Sequence, residues 1–521
     1  MEFMIRYEEV VRKLDEQVPA TLSRQVLDTA RDDFGGFVSD GIVAPTSVSS
    51  LASLGYAYLL PESKYYQSDA ILARVIAGAQ FGRRIRRESG CFDLITTNFD
   101  SSPDTGFMVE AIAPVVRAAR KMDTEGAQEI AACLGEIIQT AAPGMEAGGF
   151  HTPNHRWVLV AALSLAQELF PELNTIGTVE KYLAETIDIN ADGEFIERSA
   201  GVYNAVCNRA LRLAAETLGR PELLDPVRRN LDLSYHLLNS DGTVVTSFSG
   251  RQDRGQRIVL VNMADSYYAM ARRDGNGFYA AVADWLCASS PNGVTVLLEP
   301  FLTHPEWRED DLPREALPDS YARVYPTARL WRVRRGKTSA TAGAGVTSPF
   351  SVKHGEVHLS SVNFCASYFA IAQFSGESFE EVDSRILMRH QSRGSLYDFP
   401  VYYQPLDKPV AYDAFSAMRK ERDIYGLPPL VTDLELEEVD GGFDLSVKVS
   451  GYDRVPFQIA CDFVPGGELD FESGILMGDA GAVTFLKSGH ATYHIGTDAI
   501  SFGPGAYGHR FWQMRGSEAA P

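Results

Sequence analysis

Basic residues are in short supply in this chain: 48 Lys and Arg stand against 69 Asp and Glu, a formal net charge of −21. That balance argues strongly against a broad nucleic-acid-binding surface, which needs a basic excess, although a locally basic cleft could still take an anionic ligand. Cysteine is sparse as well. The six cysteines, at 91, 133, 207, 287, 365 and 461, show no CxxC spacing, which argues against a zinc ribbon and a disulfide-stapled secreted domain. They are expected to be buried small apolar residues. No run of about 18 or more uncharged apolar residues occurs, so no membrane-spanning helix is expected. The opening Met1-Glu2-Phe3-Met4-Ile5-Arg6 lacks a basic region followed by an apolar stretch, and a cytoplasmic location is the expectation. Also missing are GxSxG, a Walker A loop, GxGxxG after a strand, and HExxH. Their absence counts against the usual serine hydrolases, P-loop enzymes, dinucleotide enzymes and zincins.

What is present is a globular composition, 45% hydrophobic and 22% charged, in 521 residues. That length exceeds one ordinary core and predicts two or more domains. Apolar residues recurring at three and four predict about eleven helices in hairpin succession over residues 1–320, from Glu8–Ala30 through Tyr203–Leu218 to Phe278–Ala288. A bundle or a toroid of helical hairpins fits this pattern. Four prolines (300, 305, 313 and 318) among charged residues mark residues 299–325 as a linker. From Ala328 onward alternation takes over, as in Arg329–Val333, Phe443–Val449 and Thr492–Ile495. Many short strands with turn signals between them predict an antiparallel sandwich over residues 321–521. The fold class is therefore α+β and multidomain.

Four clusters could carry chemistry. In Gly148-Gly149-Phe150-His151-Thr152-Pro153-Asn154-His155-Arg156-Trp157 a Gly/Pro break delivers an amide, an imidazole and a guanidinium to a helix entrance. Taken singly, each reads as a cap, a satisfied histidine or a salt-bridged arginine. Together, at the positive end of a helix dipole, they suit an anion. Downstream, Asp192-Gly193-Glu194-Phe195-Ile196-Glu197-Arg198 turns into a second helix opening at Tyr203. The commoner fate of a Tyr is packing with its hydroxyl on a carbonyl, but two polar helix starts on neighbouring hairpins could share one end of a toroid. In the loop from Asp241 to Arg257, Arg251, Arg254 and Arg257 could clamp carboxylates or sulfates, with a solvated loop as the ordinary reading. Finally, Lys353-His354-Gly355-Glu356-Val357-His358 is expected as a strand with His354, Glu356 and His358 on one face. An exposed polar face is the first reading there. A divalent metal at His354 and His358, or His354 reaching the helical cleft, ranks behind it.

Asn-His at one helix start, followed by Asp-Gly-x-Phe-x-Glu-x-Ser with a Tyr beyond, resembles the heparinase II/III-like and alginate-lyase-like polysaccharide lyases. The Ser249-Gly250-Arg251-Gln252-Asp253 loop is similar to that group too. The resemblance covers nearly the whole chain and implies an (α/α) toroid followed by an antiparallel β-sandwich. It departs in placing Ser199 four residues, not three, before Tyr203, and in offering His354-Gly355-Glu356 where a His-x-Asp is familiar. Implied by the resemblance is β-elimination at a uronic acid in an anionic polysaccharide or oligosaccharide, with no cofactor required. Asn154, with His155 or Arg156, would neutralise the sugar carboxylate. Tyr203 would carry protons, aided by a cation such as Arg156, His155 or Arg198, because a tyrosine ordinarily titrates near pH 10. His155 could instead be the base. His354 joins Asn154, His155 and Tyr203 as a catalytic candidate, and Arg156, Arg198, Arg251 and Arg254 are the substrate-binding candidates. Two other readings stand beside this one. A glycoside hydrolase on the same toroid, acting on unsaturated uronides, would draw two carboxyl groups from Asp104, Asp192, Glu194 and Glu197. A non-catalytic glycan-binding protein would keep the fold without the chemistry. Neither nucleic acid nor membrane is an expected partner, and the oligomeric state is open.

Overall fold

The computed structural model describes residues 5–309, 311–472, 474–511 and 514–515. Met1 to Met4, part of the stretch behind the expectation about location, lie outside the described residues. The chain divides into two compact units. One comprises Met1–Tyr235, Gly242–Val244 and Ile258–Leu317, the other His236–Asp241, Val245–Arg257 and Pro318–Pro521.

The first unit is helical: α1 (Tyr7–Ser23), α2 (Leu51–Leu59), α3 (Asp69–Ile85), α4 (Ser102–Ala119), α5 (Glu125–Gly148), α6 (Pro153–Leu169), α7 (Ile176–Ala184), α8 (Tyr203–Leu218), α9 (Leu224–His236), α10 (Ala264–Asp274), α11 (Gly277–Ser289) and α12 (Leu298–Thr303). Helices α4, α6, α8, α10 and α12 pack in succession and α12 returns to α4, closing a ring. The intervening α5, α7 and α11 pack on α4, α6 and α10. This is the helical toroid. The proline-rich 299–325 stretch contains the junction between the units, from Leu317 to Pro318, and is structured on either side of it. Its start completes α12, Ser320–Tyr325 is already a strand, and between them Arg314 pairs with Asp284 of α11 at 2.5 Å. Four prolines signal breaks in backbone hydrogen bonding, not a loss of packing.

The ring is joined through buried charge. Arg212 of α8, 1% exposed, meets Glu299 of α12 at 2.5 Å and Asp265 of α10 at 3.5 Å, while Arg209 meets Asp265 at 2.7 Å. Two guanidinium groups face two carboxylates, so the cluster is balanced before Glu110 of α4 is counted. Glu110 is buried, its Oε1 has no hydrogen-bond partner among the described residues, and burial pushes its carboxyl up to about 8 against the opposing pull of Arg209 and Arg212. A fifth charge would lack a counter-ion, so the protonated acid is the form that fits.

The second unit is antiparallel throughout. A six-stranded sheet runs 457–463, 357–366, 350–354, 338–343, 330–335, 320–325 in spatial order, and a four-stranded sheet runs 378–382, 385–391, 431–439, 442–450. Trp331, Val333, Phe350 and Phe364 from the first sheet and Ile386, Met388, Leu434 and Leu436 from the second form one buried core between them, the arrangement of a β-sandwich. A further four-stranded sheet is built from 474–477, 468–471, 491–495 and 498–502. On the other face of strand 330–335, buried Arg332 donates to the carbonyls of His236 and Leu238 and to Asn239 Oδ1 at 2.8–3.0 Å, fastening the 236–241 segment to the sheet.

The charged cluster around Arg212 and Glu110 gives a pH prediction. Because the folded carboxyl of Glu110 titrates above its unfolded value, its protonation stabilises the fold fully below about 4.5 and that contribution is lost as pH rises to about 8. Glu110→Gln, which mimics the neutral acid, should gain stability over the parent by up to a few kcal/mol across that window and no more above it. Denaturant unfolding at a series of pH values measures the difference; parallel pH profiles for parent and variant would remove the charge argument.

Candidate functional site

The Gly/Pro break works as its residues demand. Helix α5 ends at Gly148, Gly149 adopts φ 68° beyond it, and Pro153 opens α6 from an extended Thr152. Pro suits that first position because its missing N–H would have no helical partner there. Asn154, His155 and Arg156 therefore occupy the first turn of α6, all three buried.

Their side chains part company. Asn154 turns toward the segment preceding α8: its backbone N and its Nδ2 both donate to Glu197 Oε2, at 3.2 and 2.8 Å, and Nδ2 also reaches Thr152 Oγ1 at 3.2 Å. Its Oδ1 is buried and has no hydrogen-bond partner among the described residues. The His155 ring lies edge-on to His151, centroids 4.8 Å apart, and to Phe107 at 6.0 Å. Arg156 spans Glu185 and Asp188, each at 3.0 Å, with its guanidinium over the Trp157 ring. Trp157 Nε1 donates to the same Asp188 oxygen at 2.6 Å. The charge of Arg156 is thus met twice before any ligand arrives.

The second helix start is built on a tight turn. Gly193 has φ 93°, and a Cβ there would lie 2.2 Å from the Arg229 carbonyl oxygen, so only glycine fits. Arg198, at φ 53°, pairs with Glu194 at 3.1 Å. Ser199 Oγ accepts from Tyr203 N at 3.1 Å and the Ser199 carbonyl accepts from Asn204 N at 3.0 Å. With the four-residue spacing, Ser199, lying before the N-cap Val202, meets the first N–H of α8. Helices α6 and α8 are neighbours, and the Asn154–Glu197 bonds tie the first turn of one to the approach of the other. Both positive helix ends therefore open at the same end of the toroid.

Of the carboxyl groups considered for hydrolysis, Asp104 lies in the first turn of α4, accepting from Asn98 Nδ2 at 2.8 Å and from Oγ of the N-cap Ser101 at 2.6 Å. Glu194 and Glu197 are buried beside Arg198 and Asn154 as described. The sequence offered Glu197 only as one acid among four; nothing local links it to Asn154, 43 positions away. The rings of His151 and Phe107 around His155 were likewise without a sequence signal.

The remaining candidates lie in the second unit. The expected single strand at 353–358 is corrected: strands 350–354 and 357–366 meet in a hairpin whose two-residue turn is Gly355-Glu356, with His354 opposite Val357 and Lys353 opposite His358. Gly355 has φ 55° and a Cβ there would strike Asp498, so a turn forms where unbroken alternation had been read. His354, Glu356 and His358 thus do not share a strand face. His354 Nδ1 lies 2.7 Å from Thr338 Oγ1, and burial next to Lys353 drives His358 down to about 4. Among the described residues no group of three His, Cys, Asp or Glu is placed to hold a metal ion. In the 245–257 loop, Arg254 donates to Thr347, Arg257 pairs with Asp241 at 3.0 Å, and Arg251 N donates to Ser249 Oγ at 3.1 Å.

Fold and site together define a helical toroid followed by an antiparallel β-sandwich, with two buried polar helix starts at one end of the toroid. Solved structures of that architecture are similar to this chain. A Paenibacillus xanthan lyase matches with a TM-score of 0.53 at 8% identity, over 93% of this chain and 50% of that one. A chondroitinase AC lyase, solved with oligosaccharides, matches at 0.52 and 10% identity, over 96% and 74%. A Streptomyces coelicolor A3 chondroitin AC lyase, solved with chondroitin sulphate, matches at 0.50 and 11%, over 87% and 67%. The chain thus spans half the length of the xanthan lyase, and at these identities the likeness is one of fold. No protein-family model matches the sequence, and no curated protein does.

The clasp between the helix starts is testable through stability. Glu197→Ala would strand two buried donors of Asn154 and should cost roughly 2–4 kcal/mol, whereas Glu197→Gln, which keeps an acceptor, should cost less. Chemical denaturation of both variants ranks them; equal costs would mean the acceptor is not what Asn154 needs.

Proposed function

We propose that the protein is a lyase that cleaves a uronate-containing polysaccharide or oligosaccharide by β-elimination. The observation that carries the reading is the Asn154–Glu197 clasp, which joins the two polar helix starts bearing Asn154, His155 and Tyr203. The toroid-plus-sandwich fold shared with solved lyases supports it.

Elimination breaks the C5–H and C4–O4 bonds, forms a C4–C5 double bond and delivers a proton to the departing O4; no water is consumed. The C5 proton becomes acidic when the adjoining carboxylate has its charge offset, so the site must stabilise an enolate-like charge. Two stacked helix N-termini supply part of that field. Asn154 supplies a directed donor: Glu197 holds its amide in place, and the 3.2 Å contact to Thr152 is the one a sugar carboxylate would replace. Tyr203, at the mouth of α8, takes the proton-transfer role, with His155 as the second acid–base group and Arg198 as the nearby cation. His354, Arg251 and Arg254 remain the second unit's candidates for contacts with the acidic chain.

With xanthan, chondroitin sulphate and alginate as a substrate panel, the expected outcome is rising ultraviolet absorbance from a double bond conjugated to the carboxylate. New reducing ends without that absorbance would favour a hydrolase instead. Tyr203→Phe should lower turnover by at least about a hundred-fold, the usual worth of a proton-transfer group, while polymer binding persists. Near-parental turnover in that variant would remove Tyr203 from the mechanism.

A further inference from the structure

The second unit carries a row of aromatic rings, one buried and the rest displayed, that the proposed chemistry does not use. Tyr452, Tyr368, Phe369 and Tyr402 follow one another with ring centroids 6.0, 5.2 and 5.3 Å apart. Tyr425 stands opposite Tyr402 in the two-stranded ribbon 401–403/424–426, on the same face. Tyr368 anchors the row: it is 5% exposed, packs in a small core with Ala366, Ala372 and Leu430, and donates its hydroxyl to the Pro428 carbonyl at 2.6 Å. The other four are displayed, with Tyr402 57% and Tyr425 60% exposed.

The display is built into the backbone. Phe369 and Ala370 both adopt left-handed φ, 55° and 57°, a conformation that costs roughly 1 kcal/mol or more per non-glycine residue. The ribbon is closed by Leu427 N to the Pro400 carbonyl and Gln404 N to the Asp423 carbonyl, each 2.8 Å. Phe399 packs so tightly on it that a Cβ at Gly426 would lie 2.2 Å from that ring. A strained turn and a stiff ribbon that hold large rings in water do not serve burial.

The character of the row selects its ligand. Its exposed rings are mostly tyrosines, flat faces with a hydroxyl at the edge, and not the aliphatic side chains of a protein-docking groove. Beside Phe369, the residues Ser367, Tyr368, Phe369, Ala370 and Arg515 line a cleft of about 350 Å³, within the range of small-ligand clefts. A cleft lined by aromatic residues and an arginine fits a pyranose ring that carries a carboxylate. We infer that this row is a second, non-catalytic binding site for an acidic polysaccharide, with pyranose rings stacking on Phe369, Tyr402 and Tyr425 and a uronate carboxylate meeting Arg515. The choice of an acidic glycan rests on the proposed function, but the row's own chemistry can be tested apart from cleavage.

Affinity electrophoresis of the full chain in gels containing xanthan, chondroitin sulphate or alginate, in a Tyr203→Phe background, reads binding without cleavage. The Tyr402→Ala/Tyr425→Ala pair should weaken binding to at least one polymer about ten-fold, as the loss of two stacking contacts implies, and Tyr402→Phe/Tyr425→Phe should bind as the parent does. Arg515→Ala should weaken that same polymer more at low salt than at high salt. Unchanged binding in the alanine pair, no binding of any polymer by the parent, or loss in the phenylalanine pair would overturn the inference. So would sedimentation velocity showing a self-association that the alanine pair abolishes, since the row would then be a subunit interface. If the alanine pair loses binding while the unmutated protein produces no ultraviolet signal, the lyase reading fails and the binding site stands.

Discussion

The helical unit is organised around a charge balance in its ring. Arg212, withdrawn from water, holds Glu299 and Asp265, and with Arg209 it joins α8, α10 and α12. A buried ion cluster of this kind adds little net stability compared with an apolar core, but losing one member costs heavily, because the remainder is left unpaired. It therefore specifies which helices meet. Glu110 takes part on the condition that it stays protonated.

Ring closure has a consequence at the neighbouring helix ends. Once α6 and α8 are packed side by side, their first turns point unsatisfied N–H groups the same way, and those groups need partners. Glu197 meets part of that need at Asn154 and Ser199 meets part at Tyr203. Arg156, read in sequence beside His155 as a helper of Asn154 at the anion, is drawn aside by Glu185 and Asp188. The positive character left at this end of the toroid thus owes more to helix ends and an oriented amide than to a free guanidinium. That suits the enolate-like charge of the proposed elimination, which fixed dipoles meet without reorganising.

Much of the fold is legible in the sequence because its signals are local. Apolar residues at three and four mark the helices, and Tyr203–Leu218 matches α8 at both ends. Alternation marks the strands, as in Phe443–Val449 within the strand Gly442–Ser450. Where local reading fails, a distant contact decides. Gly355 turns the chain at φ 55°, with Asp498 packed where a side chain would stand, so a hairpin replaces the strand. Proline clustering hides α12, whose place is set by Glu299 reaching Arg212 across 87 residues. In the site, the residue types and the helix entrances could be read in advance. The partners that orient them could not, because Glu197 and Asp188 reach Asn154 and Trp157 only through the packing of α6 against α8.

The most direct test of the central claim is the fate of water in the reaction. Digestion of a susceptible uronate polymer in heavy-oxygen water, followed by mass spectrometry of the products, separates the chemistries at the level of atoms. Elimination predicts products that carry no label from the cleavage and one fragment lighter by a water than its hydrolytic counterpart. One labelled oxygen per bond cleaved, carried by the new reducing end, would contradict it.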